Sequence, residues 1–196
     1  MAITKTKIYV NKNVYTAANE RIDYVFKNFE KIYLSFSGGK DSGVMLNLVA
    51  DYMRKHDIKK KIGLLYIDLE GQYSLTIEYI RQTLTDNADL FDVYWCCLPI
   101  NLRNAVSVYE PFWTPWDPDQ RKKWIRPYPD YPCITEENHK FPFFRKNMEF
   151  EAFVPEFGKW YAGNKKTACL VGIRSDGNRN SRIIVFINNI SQEKEK

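Results

Sequence analysis

The stretch KIYLSFSGGKDSGVM (residues 31–45) decides the fold of this chain. Its first residues are short, apolar and partly alternating, which predicts a buried strand that ends near Ser35. Two glycines follow, and apolar residues then recur with helical spacing at Met45, Leu48, Val49, Tyr52 and Met53. The stretch therefore predicts a strand, a glycine turn and a helix in direct succession, which is the repeating unit of α/β proteins.

The alternation of strand and helix continues on both sides of this stretch. A helical pattern over residues 14–29 precedes it, and IGLLYIDLE (62–70) and FDVYWCCLPI (91–100) predict two further strands with a helix between them. TACLVGI (167–173) predicts a fourth strand and RIIVFINNI (182–190) a last one. Strands and helices in this order predict a parallel sheet with right-handed crossovers, which binds ligands at the carboxyl ends of its strands.

The regular pattern breaks between about residue 103 and residue 161. This segment holds eight of the nine prolines and four of the five tryptophans. Proline at this density disfavours long helices and central strands, whereas the many aromatic residues argue against disorder. We therefore predict a single domain over residues 1–196 with an ordered, loop-rich insertion at 103–161. The aromatic residues of this insertion either pack onto the sheet or line a substrate cleft.

Composition and charge set broad limits on the function. Lys and Arg number 29 against 24 Asp and Glu, so the net charge is +5. This mildly basic balance fits an ordinary solvated surface, and it equally fits anionic ligands such as nucleotides or nucleic acid. No apolar run is long enough for a signal peptide or for the roughly 18 residues of a membrane span. With four cysteines and no C-x-x-C pair, we expect a cytoplasmic protein with reduced thiols and no membrane partner.

The glycine turn does not match the two best-known nucleotide-binding loops. A Walker A loop requires G-x-x-x-x-G-K-[ST], but here Gly39 and Lys40 are followed by Asp41, and Leu34 occupies the first glycine position. The dinucleotide fingerprint G-x-G-x-x-G fails because the two glycines are adjacent.

The turn nevertheless has the chemistry of an anion site. Gly38 and Gly39 permit backbone angles at which successive N–H groups point at one anion, and the following helix adds its free amides and the positive end of its dipole. The flanking serines supply hydroxyl donors, and Lys40 supplies charge. Asp41 either caps the helix or holds a magnesium ion that is already bound to phosphate oxygens.

The segment SFSGGKDS resembles the PP-loop, S-G-G-x-D-S, of the adenine nucleotide alpha-hydrolase superfamily. The resemblance implies a parallel five-stranded sheet of order 3-2-1-4-5 flanked by helices, and a loop that cradles the pyrophosphate of ATP or the anionic end of phosphoadenosine phosphosulfate (PAPS). The catalytic residues would be Lys40, Asp41 and Arg174, with magnesium on Asp41 and Asp68. The residues that would bind the nucleotide are Ser35, Ser37, Gly38, Gly39, Lys40, Asp41, Ser42, Ile67, Asp68 and Arg174.

Two further stretches resemble the PAPS reductase branch of that superfamily. YIDLEGQYSLTIEYI is similar to a segment that reads D-T-G-x-x-F-P-E-T in the branch, with Asp68 at the first aspartate but Leu69 and Glu70 in place of Thr-Gly. LVGIRSDGNRNSR is similar to a G-I-R segment in which the arginine meets the anionic substrate, here Arg174. The middle of the chain resembles the Ibr-type co-regulators encoded beside ParB-like proteins, whose function is unknown.

The positions of the cysteines distinguish PAPS reduction from ATP cleavage in this branch. PAPS reductases use a cysteine in an E-C-G-(L/I)-H context near the C-terminus, and no cysteine follows Cys169 in this sequence, which favours ATP. Cys96 and Cys97 resemble the Cys-Cys pair of iron–sulfur relatives, but a C-x-x-C partner is absent and adjacent strand residues point to opposite faces. We therefore expect buried core thiols and no iron–sulfur cluster, with Cys133 as the candidate reactive thiol.

The resemblance implies an enzyme or former enzyme that binds ATP with magnesium, releases pyrophosphate and adenylates an acceptor. Two alternatives stay open: a reductase that acts on PAPS or adenylyl sulfate, and a nucleotide-sensing transcriptional co-regulator or DNA-modification partner. The acceptor is open as well, with nucleic acid and a ParB-like protein as the candidates. A homodimer is one open alternative for the assembly.

Overall fold

A computed structural model describes residues 11–104 and 109–172 of the chain. The helices are α1 (Val14–Asn28), α2 (Lys40–Lys55), α3 (Ser74–Asp86) and α4 (Phe150–Ala162), with a short 3-10 helix at Pro118–Lys123. The strands are β1 (Lys31–Ser35), β2 (Ile62–Ile67), β3 (Phe91–Cys96), β4 (Leu102–Arg103), β5 (Phe112–Trp113) and β6 (Thr167–Val171). None of the helices in this part of the chain is long and apolar enough to cross a membrane.

The main sheet contains four parallel strands in the order β3-β2-β1-β6. The prediction of an α/β fold with a parallel sheet flanked by helices is therefore confirmed. The described residues contain four of these strands rather than five, and the segment predicted as the last strand, residues 182–190, lies outside them. β4 and β5 pair separately as a short antiparallel ladder within the insertion.

The sheet is covered on both faces because successive side chains of a strand point to opposite sides. Along β1, Ile32 and Leu34 pack into a core that α1, α2 and α3 complete, whereas Tyr33 packs into a second core against α4. Both cores are dominated by large apolar side chains with almost no exposed surface. The result is three layers, with helices above and below a sheet that is buried on both sides.

Tyr161 of α4 forms hydrogen bonds that tie the helix to two strands of the sheet. The hydroxyl of Tyr161 accepts a hydrogen bond from the amide of Gly63 on β2 (2.9 Å) and donates one to the carbonyl of Ile32 on β1 (2.9 Å). A side chain at position 63 would collide with the Tyr161 ring, since a Cβ there would lie 2.8 Å from two of its carbons. Glycine is therefore required at position 63 so that α4 can lie against the sheet.

The expectation that residues 103–161 contain no long helix was wrong. α4 spans 13 residues and contains Pro155, which removes one backbone hydrogen bond from its second turn. Phe153 and Phe157 compensate for that loss, because both are fully buried against the second face of the sheet. The remainder of the described insertion consists of loops, the β4–β5 ladder and the 3-10 helix.

Candidate functional site

The glycine turn forms a closed loop at the carboxyl end of β1. The hydroxyl of Ser42 donates to the carbonyl of Gly39 (2.8 Å) and accepts from the amide of Ser37 (3.2 Å), while the two serine hydroxyls lie 3.0 Å apart. Gly38 has φ = +75°, in the left-handed region that glycine adopts without strain. Ser42 is buried, so this serine holds the shape of the loop, whereas Ser37 is exposed at its surface.

The loop presents unpaired backbone donors at the start of α2. Gly39 is the N-cap and no side chain caps this end of the helix. The first backbone bond of the helix runs from the amide of Gly43 to the carbonyl of Gly39 (2.9 Å), which leaves the three preceding amides without an intrahelical partner. Free amides and the positive end of the helix dipole together favour an anion here.

Lys40 and Asp41 are both exposed in the first turn of α2. Among the described residues, neither side chain makes a hydrogen bond or an ion pair. Their charges are therefore available to a ligand, Lys40 to an anion and Asp41 to a cation. Both were predicted as site residues, and the structure places them on the same turn as the free amides.

The loop lies beside the point at which the strand order reverses. β1 is flanked by β2, which follows it in the chain, and by β6, which comes from the far end of the described residues. Gly172 follows β6 directly, and a Cβ at this position would lie 2.5 Å from the backbone oxygen of Asp41. The exit of β6 therefore packs against the first turn of α2, in the crevice where α/β proteins bind ligands. The predicted anion partner Arg174 lies outside the described residues.

Ser35 and Ile67, which were both predicted to bind the nucleotide, occupy the last positions of β1 and β2. Both are partly buried, and each pairs with a neighbouring strand at the same edge of the sheet. Their backbone atoms therefore lie at the carboxyl end of the sheet, where the loop begins.

Asp68 is buried and its carboxylate is fully occupied by protein donors. One oxygen accepts from Arg126 Nη2 (2.5 Å) and from the amide of Glu70 (2.9 Å), and the other accepts from Trp95 Nε1 (2.8 Å). The backbone oxygen of Asp68 accepts from Trp116 Nε1 (2.7 Å). In this arrangement Asp68 anchors the insertion, and binding of magnesium or ribose by its carboxylate would require these bonds to break. No group of three or more His, Cys, Asp or Glu that could hold a metal ion occurs in the described ranges.

Glu70 ties the insertion to the sheet in a similar way. Its carboxylate accepts hydrogen bonds from the amides of Trp116 (2.8 Å) and Ile125 (2.7 Å), and its side chain is buried rather than solvated at the strand end. Its backbone has φ = +64°, a left-handed conformation that turns the chain sharply after Asp68. The two acids after β2 thus hold the segment from residue 116 to residue 126 against the sheet edge.

Arg126 and Trp116 are the residues of this network that the sequence reasoning missed. Arg126 lies 58 positions from its partner Asp68 in the chain, and its guanidinium lies 4.9 Å from the centre of the Trp116 ring. The sequence signal for such a partner was indirect. An acid that directly follows an apolar strand needs a cationic partner if it is buried. Nothing local in the sequence identifies which of the many arginines supplies it.

The two adjacent cysteines lie on opposite faces of the sheet, as predicted. Cys96 packs into the core against α4 and Cys97 into the core on the other side, and both are completely buried. Burial raises the pKa of both thiols, as it raises the pKa of Cys169 to about 11. Cys133 differs, because it is only half-buried and a hydrogen bond from the Cys97 thiol lowers its pKa.

We expect Cys133 to be alkylated by iodoacetamide at least tenfold faster than the other three cysteines of the folded protein, because only the thiolate reacts. The rate should reach half its maximum at a pH below that of an ordinary thiol, since the pKa of Cys133 is lowered. Peptide mapping by mass spectrometry over a pH series measures both. Cys133→Ser should remove the fast phase, and fast labelling of any other cysteine would contradict the expectation.

No protein-family model matches the sequence. The chain is 39% identical over 182 residues to the uncharacterized protein YbdN of Escherichia coli K12, and the similarity covers 91% of this chain and 43% of that protein. The chain therefore spans less than half the length of this curated relative. The relative's name states no activity.

Proposed function

We propose that this protein binds an adenine nucleotide with magnesium at the loop after β1, and that it cleaves the alpha–beta bond of ATP to adenylate an acceptor. The observation that carries the proposal is the closed S-G-G-K-D-S loop at the start of α2, with three amides that have no intrahelical partner and two charged side chains that have no partner among the described residues. The proposal includes the finer fold of the adenine nucleotide alpha-hydrolases, with residues 182–190 as a fifth strand in the order 3-2-1-4-5.

The loop suits a pyrophosphate better than a neutral ligand. The amides at the start of α2 would donate to an anion bound at this end of the helix, and Lys40 adds a positive charge on a flexible side chain beside them. Asp41 would repel a phosphate unless a cation lay between them, and carboxylate oxygens are preferred ligands of Mg²⁺. A carboxylate in this position therefore favours a magnesium nucleotide over a free anion.

The reaction requires an acceptor nucleophile that attacks the alpha phosphorus of ATP. A bond forms between the acceptor and the alpha phosphorus, the bond from that phosphorus to the bridging oxygen breaks, and pyrophosphate leaves with the electron pair. The loop amides and Lys40 stabilise the charge that develops on the pyrophosphate, and Arg174 is proposed to meet the same anion. Magnesium, when bound through Asp41, would neutralise phosphate oxygens further. Positioning and charge neutralisation carry most of the catalysis in such transfers.

The Asp41→Ala and Ser37→Ala variants test the proposal directly. We expect each to weaken binding of magnesium ATP about tenfold or more, which corresponds to about 1.4 kcal/mol, and to slow pyrophosphate release. Asp51→Ala is the matched control, because Asp51 is an exposed aspartate farther along the same helix. Isothermal titration with ATP, with and without magnesium, gives the affinities. Unchanged affinity and unchanged pyrophosphate release in both loop variants would rule the proposal out.

A second candidate is a reductase acting on PAPS or adenylyl sulfate, which the lowered pKa of the half-buried Cys133 favours. Its thiolate would attack the sulfonate sulfur, a sulfur–sulfur bond would form, and the sulfur–oxygen bond to the nucleotide would break. Intact-mass measurement after incubation with PAPS should then show a sulfite adduct that Cys133→Ser removes. Absence of the adduct excludes this candidate and leaves ATP cleavage as the proposed reaction.

A further inference from the structure

The segment from residue 121 to residue 128 forms an open recess of about 380 Å³ on the insertion. Its floor is a packed set of aromatic rings. The fully buried Trp116 is stacked on Tyr128 (centroids 5.0 Å apart) and meets Trp124 edge to face (5.1 Å), and Trp124 and Tyr128 also contact each other (4.8 Å). Because Trp116 is held by Asp68 and Glu70, the rings that line the recess are fixed to the sheet.

Three consecutive cations lie at this recess, where Arg121 lines it and Lys122 and Lys123 follow directly in the chain. Arg121, Lys122 and Lys123 are exposed and make no ion pair with any residue that the structure describes. Two acids beside these cations, Asp117 and Asp119, both pair with Lys146. Arg121, Lys122 and Lys123 therefore keep their positive charges without an ion pair in the part of the chain that the structure describes.

Arg121 is positioned over aromatic rings rather than extended into solvent. Its guanidinium lies 5.2 Å from the centre of the Trp124 ring and 5.8 Å from that of Tyr128. A guanidinium held in this way offers a flat cationic surface on which a nucleobase stacks, with donors directed toward a phosphate.

The aromatic surface continues beyond the recess. Trp113 and Phe112 on β5 are 38% and 42% exposed, and Ile125 is 68% exposed. Trp113 and Ile125 both approach Gly71, so they lie side by side at the edge of the recess. A pocket for a small molecule usually encloses most of its ligand, whereas this surface is open and extended.

We propose that this surface, the basic aromatic face formed by Trp113, Arg121, Lys122, Lys123, Trp124 and Tyr128, binds single-stranded nucleic acid. Stacking on aromatic or guanidinium planes requires unpaired bases, and exposed lysines and arginines attract the backbone phosphates. An acidic peptide would use the cations but leave the aromatic rings unoccupied. The inference does not depend on the proposed reaction at the loop, although it would supply a nucleic acid as the acceptor.

The test is fluorescence anisotropy with a labelled 12-nucleotide oligothymidylate and the RNA equivalent over a series of salt concentrations. The triple variant Arg121→Ala, Lys122→Ala, Lys123→Ala should bind at least tenfold more weakly. The slope of log K against log salt concentration should be smaller in magnitude by about two, since each cation contributes about 0.7 to this slope on single strands. The matched control is Lys55→Ala, Lys60→Ala, Lys61→Ala, which removes the same charge near the amino end of β2. This control should bind like the wild type.

Stacking is tested separately by Trp113→Ala, which we expect to weaken oligonucleotide binding about tenfold without changing the salt dependence. Thymidine monophosphate is the probe for a free nucleotide and should bind far more weakly than the oligonucleotide. Binding of a duplex or of polyglutamate as tight as that of the single strand would overturn the proposal. Wild-type affinity in the triple variant would overturn it as well. An equal loss of ATP affinity in that variant would assign the face to the nucleotide site instead.

Discussion

Replacing Asp68 by alanine is expected to lower the free energy of unfolding by about 3–5 kcal/mol, the largest effect that we predict for stability. The carboxylate accepts from Arg126, Trp95 and the amide of Glu70, and it is only 1% exposed. Its removal leaves the Arg126 guanidinium, whose side chain is 15% exposed, without its ionic partner in a buried position. The indole donor of Trp95 also loses its acceptor.

Urea denaturation followed by tryptophan fluorescence measures this change. Asp92→Ala is the matched control, because Asp92 is an exposed aspartate on the neighbouring strand and should change stability by less than about 0.5 kcal/mol. Arg126→Met alone should also be strongly destabilising, since it leaves the Asp68 charge buried and unpaired. The double variant Asp68→Asn, Arg126→Met should recover part of the loss. A loss below about 1 kcal/mol for Asp68→Ala would contradict the assigned role of the network.

Replacing Gly172 by alanine is expected to have the largest effect on the candidate site. The new Cβ would lie 2.5 Å from the backbone oxygen of Asp41, 2.9 Å from its carbonyl carbon and 3.0 Å from the Cα of Ser42. Ordinary contacts are roughly 1 Å longer, and backbone atoms cannot rotate away as a side chain can. The first turn of α2 must therefore shift, at a cost of about 1–3 kcal/mol, and the amides of the loop move with it.

We expect the affinity of Gly172→Ala for magnesium ATP to fall at least tenfold, measured by isothermal titration beside a thermal melt. Gly163→Ala serves as the control, since Gly163 has φ = +59° but no atom within 4 Å of its would-be Cβ. That variant should lose about 1–3 kcal/mol from backbone strain alone and keep its ATP affinity. ATP affinity in Gly172→Ala equal to that of Gly163→Ala would contradict the placement of the ligand at this turn.

The four strands of the main sheet and three of the helices could be predicted because hydrophobic periodicity is a local property of the sequence, whereas the two-residue strands β4 and β5 were not predicted. The predicted helix over residues 14–29 agrees with α1, which spans Val14–Asn28. The second strand was predicted to continue to Glu70, but β2 ends at Ile67. The chain turns there because Glu70 adopts a left-handed conformation. Residues other than glycine rarely adopt this conformation, and no local sequence pattern predicts it here.

α4 was missed although its periodicity is present in the sequence. Four aromatic residues recur at helical spacing and pack in the second core: Phe150, Phe153, Phe157 and Trp160. The prolines around them nevertheless favour loops by local propensity, which is why a loop-rich segment was predicted. A helix tolerates Pro155 when tertiary burial of its aromatic face outweighs one missing hydrogen bond. Local propensity therefore predicted the wrong state where packing decided the outcome.

The α/β class and the position of the loop follow from local sequence alone, since a strand, two glycines and an amphipathic helix are adjacent in the chain. Only the tertiary structure decided what the acids after β2 do. Asp68 was predicted to bind the nucleotide and magnesium, which stays a prediction, and the structure shows that the carboxylates of Asp68 and Glu70 bind residues of the insertion 46 to 58 positions away. Pairings over such distances depend on how the layers pack, and residue type and spacing alone do not specify them.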